Sequence, residues 1–165
     1  MEEYKKLILT RVFDASRDKV WKYWIDPSLV KQWWGPRGVT IPTCEWEAKP
    51  QGKIHIVMLA GAELGPMAGQ EWPMTGTFEE VVEPQKLVFA ANAIMGGKPI
   101  LETLTTVVFA EEKNKTSLTV SIEILMALQE AEGPIQGMET GWNQQLDKLG
   151  KSLPSPRSPD KPKKG

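Results

Sequence analysis

Most catalytic and metal-binding machinery is missing from this chain before any folding is considered. It has a single cysteine, Cys44, and a single histidine, His55. One thiol builds neither an internal disulfide nor a cysteine zinc site, and Cys44 reads as a small buried hydrophobe. His55 shares a strand phase with Lys53 and so turns to solvent, which leaves no Ser-His-Asp or Cys-His arrangement and no histidine cluster for a transition metal. The paired glycines Gly96-Gly97 are followed by no helix and form a turn, not a phosphate cradle. No apolar run approaches the roughly 20 residues that span a bilayer, and no signal-peptide pattern opens the chain. The expectations are no catalytic residue, no metal, no cofactor, no membrane insertion and a cytoplasmic setting.

What is present is apolar and aromatic. Of 165 residues, 41% are hydrophobic and seven are tryptophan, enough for one domain with a substantial core. Net charge is -1, but Lys151, Arg157, Lys161, Lys163 and Lys164 near the end face only Asp160, so the preceding residues carry 15 basic against 20 acidic side chains. An acidic body argues against a nucleic-acid surface. Pro154, Pro156, Pro159 and Pro162 forbid a helix in the basic tail. The expected division is a domain over 1–153 and a disordered tail over 154–165.

Periodicity supplies the elements. Lys6 to Phe13 predicts a first strand. Ser16 is placed to cap a helix through Trp24, and Asp26-Pro27 to break it and begin a second helix, Ser28 to Trp34, stopped by Gly35-Pro36. Strands follow at about Thr40–Ala48, Lys53–Ala60, Trp72–Val82, Lys86–Asn92, Glu102–Glu111 and Thr116–Met126. Their short connections favour antiparallel hairpins. Met138, Trp142, Leu146, Leu149 and Leu153 then repeat at helical spacing, predicting one long amphipathic helix. The order β-αα-β-β-β-β-β-β-α is an α+β domain, an antiparallel sheet of six to seven strands gripping a C-terminal helix.

Several pieces of sequence, in this order, resemble one family. Arg11-Val12-Phe13-Asp14-Ala15, Val20-Trp21, Asp26-Pro27, Gln32-Trp33-Trp34-Gly35-Pro36 and Gly38 are similar to the opening of the heat-shock-protein-90 ATPase activator homologues. Pro84 with Leu87-Val88-Phe89, Thr116 to Val120, and Gly137-Met138 with Gly141-Trp142 continue the likeness. The family usually has a paired glycine where this chain has Gln51-Gly52. The resemblance implies the START-like SRPBCC superfamily, with a helix-grip fold and an internal cavity. Its members include lipid and polyketide binders, cyclases and a co-chaperone domain, so the fold does not choose among functions.

Strand alternation nominates the cavity wall. Ile54, Ile56 and Met58 share one phase; Val120 and Ile122 belong to the inward phase of the last strand; Thr103 and Thr105 set hydroxyls in the strand before it. Phe78 and Phe89 add aromatic surface. Met138, Trp142 and Gln145 face the sheet from the helix, and Trp34 is expected at the mouth, with Trp33 as a wedge behind it. A few polar groups in an apolar wall suit a small-molecule site. Arg11, set among Leu7, Leu9 and Phe13, is expected to be paired. Three readings stay open: binding or sequestration of a small hydrophobic, aromatic or lipid-like molecule; a chaperone-linked interaction domain; and a polyketide cyclase-like enzyme, for which Glu102 and Glu123 are the strand carboxylates to test. The apolar stretch Gly61 to Pro73 reads as a lid or a dimer contact, leaving monomer and homodimer both open.

Overall fold

Alternating β-branched and polar residues give the chain its first strand, β1 (Lys6–Phe13), and two short helices turn it back, α1 (Arg17–Ile25) and α2 (Pro27–Trp33). The structure, a computed structural model, describes residues 6–154. The expectation of a disordered tail concerns residues that lie, from 155 onward, outside this range. Ser16 stands at the start of α1, but its hydroxyl makes no cap; its carbonyl accepts from the Lys19 and Val20 amides instead. Asp26 does cap α2, its Oδ1 accepting from the Ser28 amide at 3.0 Å and the Ser28 hydroxyl at 2.8 Å, with Pro27 at the first helical position.

Six strands then run as a meander: β2 (Val39–Trp46), β3 (Lys53–Ala60), β4 (Glu71–Val82), β5 (Lys86–Met95), β6 (Lys98–Glu112) and β7 (Lys115–Ala127). All pairings are antiparallel, and β1 closes on β7 to give the order β1-β7-β6-β5-β4-β3-β2 in a seven-stranded sheet. After β7 come a 3-10 turn at Gln129–Ala131, a short α3 (Glu132–Gln136) and the long α4 (Met138–Ser152). This is the helix-grip α+β arrangement expected from the pattern. The stretch between β3 and β4 holds two 3-10 turns within Ala62–Met67, divided by a kink at Gly65, and is pinned to the head of β2 by the Gly61 amide donating to the Gly38 carbonyl at 2.7 Å.

Register sorts the inward side chains into rows across the concave face. One row runs Phe78, Phe89, Thr105, Ile122 and Leu7 from β4 to β1. The next runs Ile54, Gly76, Ala91, Thr103 and Ile124. Burying apolar area at about 25 cal/mol per Å², Ile54, Phe78, Phe89 and Ile122 of these rows meet Leu146 and Leu149 of α4 and the tryptophans of α1 and α2 in one core cluster, while Ile124 joins a second, smaller one with Ile100, Leu101 and Ala131.

Candidate functional site

Between sheet and helix lies an aromatic interior. Trp34 occupies its centre, within ring-contact distance of Trp24, Trp33, Trp46, Phe89 and Trp142, with centroids 5.1 to 6.4 Å apart. It was expected at the mouth but is buried, because α2 ends at Trp33 and the chain turns inward before Gly35. Trp33, fully buried, is indeed the wedge, donating from Nε1 to the Tyr23 carbonyl at 3.0 Å. Phe78, Phe89, Ile54, Ile56, Val120, Ile122 and Thr105 are likewise buried beneath this cluster.

The concave face is not sealed throughout. Met58, Met74, Met138 and Trp142 pack on the core yet remain half-buried, as do the inward Thr103 and Ala93. Met74 belongs to this set by register, pairing with the buried Ile56 on one side and Ala93 on the other. Together these residues form a rim where the interior meets solvent, three of them methionines whose flexible thioethers adapt to irregular partners. Trp142 lies nearly parallel to Trp24, at 13° with centroids 6.4 Å apart. The structure therefore brings the candidate residues together in two groups: a buried floor and a half-open rim.

α4 holds the loop after α2 by three side chains that follow one another along the helix. Gln144 Oε1 accepts from the Arg37 amide at 2.9 Å and Gln145 Oε1 from the Gly35 amide at 2.6 Å. Lys148 Nζ donates to the carbonyls of Trp34 and Gly35, both at 3.1 Å, and of Pro36 at 3.5 Å. A cation suits the exposed carbonyls at the C-terminal end of α2, while burial pulls the Lys148 pKa below the ordinary lysine value. Gly35 fits this junction through its positive φ of 86°. Gln145 thus has a structural task for its oxygen that the spacing alone did not reveal.

The other titratable candidates lie away from this interior. Arg11 is paired, 2.9 Å from Asp147 Oδ1 and 3.1 Å from Asn143 Oδ1, in an open groove of about 370 Å³ between β1 and α4. Glu102 is half-buried, Glu123 exposed, and His55 sits 3.7 Å from Glu45 on the outer face of β3. Burial raises the Cys44 pKa, and Lys31 only partly offsets that. Among the described residues no group of His, Cys, Asp or Glu side chains is arranged to hold a metal ion, and no helix is long and apolar enough to cross a membrane.

A curved antiparallel sheet closed by one long helix around an apolar interior defines a helix-grip domain, an architecture suited to ligand binding. The chain belongs to the family described as Activator of Hsp90 ATPase homolog 1-like protein, whose model matches residues 14–153. Among solved structures it is similar to a protein from Chromobacterium violaceum, at 22% identity and a TM-score of 0.75 over 90% of this chain and 97% of that one. A solution structure from Arthrobacter aurescens gives 24% identity and a TM-score of 0.75, covering 90% of this chain and 85% of that one. The AHSA1 protein from Silicibacter pomeroyi gives 23% and 0.72, covering 89% and 96%. At such identities the likeness is one of fold. No curated protein matches the chain in sequence.

Proposed function

We propose that the protein binds a small, flat, hydrophobic molecule on the concave face of the sheet, over the floor of Trp34, Phe78, Phe89 and Thr105 and under Trp142 and Met138. The observation that carries this reading is the inward-facing rim that the helix leaves half-open: side chains pointing into a core are ordinarily buried outright, yet Met58, Met74, Thr103, Met138 and Trp142 are not. Trp142 is the movable wall. A third ring between Trp142 and Trp24 needs about 7 Å between their planes, two carbon contact distances, so a flat guest enters by displacing the outer indole.

An apolar fluorescent probe should then bind with roughly micromolar affinity, near -8 kcal/mol. Trp142→Phe should change that affinity more than it changes stability, read by probe emission and by urea denaturation of both proteins. If the substitution costs stability on the order of 1 kcal/mol and probe binding is unchanged, Trp142 is a core wedge. A second reading, a chaperone-linked interaction domain, is favoured by the outer face of the sheet, where Ile8 and Val12 of the edge strand are 58% and 59% exposed and the exposed Val108 lies across β7 from Thr10, which stands between them. Absence of saturable binding by a panel of aromatic and lipid-like probes, with the fold intact, would favour that surface over the interior.

A further inference from the structure

The interior offers hydrogen-bond donors whose partners are missing. Gln145 is 5% exposed, and its Nε2 has no hydrogen-bond partner among the described residues. Its orientation is fixed: the Gly35 amide is a donor, so only the oxygen of the Gln145 amide can meet it at 2.6 Å, and the NH₂ group must point the other way. Trp24, fully buried, also has an indole Nε1 without a partner. Trp21, buried on the same helix, likewise has an Nε1 without a partner among the described residues, whereas Trp33 and Trp46 donate to the carbonyls of Tyr23 and Trp24 at 3.0 and 2.6 Å. Trp24 touches the rings of both Trp34 and Trp142, while Gln145 bonds the residue after Trp34 and follows Trp142 by one helical turn. The free NH₂ of Gln145 therefore lies beside this pair of indoles, whereas the Trp24 N–H lies in its own ring plane and does not face a guest stacked on that ring.

Buried N–H groups are nearly always paired, and one left unpaired carries the full cost of its desolvation. A pure hydrocarbon guest leaves that cost in place. A guest bearing an acceptor oxygen removes it.

We infer that the ligand of this interior is a flat aromatic compound carrying a carbonyl-type acceptor, an aryl ketone or quinone, and that Gln145 Nε2 is the donor that selects it. The inference rests on the binding function proposed above and adds to it a chemical class. A donor without a matching acceptor rejects guests whose only polar group is an N–H with no free lone pair, so discrimination runs in one direction.

The test is a matched pair of planar probes, fluorenone and fluorene, titrated calorimetrically into the full chain. Fluorenone should bind at least about tenfold more tightly, the worth of one recovered buried hydrogen bond. The side-chain amide protons of Gln145, followed by ¹⁵N-resolved NMR, should shift with fluorenone and not with fluorene. Gln145→Glu keeps an oxygen for the Gly35 amide while removing the NH₂ donor, and should reduce the preference severalfold. Equal affinity for the two probes overturns the acceptor inference while leaving the binding function standing. Binding of neither overturns the binding function and the inference with it. If Gln145→Glu does not fold, the amide shift in the unmodified protein decides alone: a preference for fluorenone with unmoved Gln145 amide protons removes Gln145 from the role.

Discussion

At the scale of single residues, two positions show chemistry that composition could not rank. Gln51 stands where the family usually places a glycine, and its φ of 65° lies in the left-handed region that glycine adopts without penalty. Its amide donates to the Phe78 carbonyl at 2.8 Å, which fixes the turn before β3. Gln51→Gly should therefore stabilise the protein by a few tenths to about 1 kcal/mol, the relieved backbone strain outweighing glycine's extra chain entropy; a higher urea midpoint at unchanged slope is the expected result, and a lower one refutes the strain. Cys44 behaves in the opposite sense from a reactive thiol. Because burial raises its pKa, less thiolate is present at any given pH in the folded state than in the unfolded one. Iodoacetamide at pH 8 should modify the folded protein more slowly than the protein in urea, and equal rates in the two states would show that burial does not protect the sulfur.

Among the elements, α4 contributes more than its apolar stripe. Its polar residues hold the Trp34–Arg37 segment, and Lys148 alone meets three carbonyls there. Lys148→Met keeps the aliphatic stem and removes the donor, so it should cost on the order of 1–2 kcal/mol in chemical denaturation; a neutral result would mean that water replaces the ammonium at no loss. The helix itself was legible from sequence, as were both short helices and every strand, because hydrophobic period is a local property. Boundaries failed where periodicity was interrupted. β5 continues to Met95 and β6 begins at Lys98, beyond the expected ends, because a bulge between Ala93 and Ile94 shifts the phase and Pro99 reads as a stop. α3, built on Glu132-Gly133-Pro134, had no helical signal to find.

For the molecule as a whole, the candidate wall was legible to the extent that alternation reports it: the inward phases of β3, β6 and β7 emerged with the expected residues. What sequence could not show depends on register between distant strands, namely Met74 and Ala93 at the rim, Trp34 at the centre instead of the mouth, and the orphaned indole of Trp24. The same long-range construction has a temporal side. Gly35 and Gln145, joined by a hydrogen bond, lie 110 positions apart, and Arg11 and Asp147 lie 136 apart; among the described residues β1 pairs with β7 alone. Closing such loops before any contact rewards them makes for slow refolding, on the order of milliseconds to seconds by stopped-flow tryptophan emission, and a microsecond phase carrying the full amplitude would contradict it. During synthesis the tryptophans of α1 and α2 leave the ribosome long before the helix that covers them, so the growing chain carries its stickiest segment uncovered for most of its translation, and that segment is where a nascent-chain chaperone should engage it.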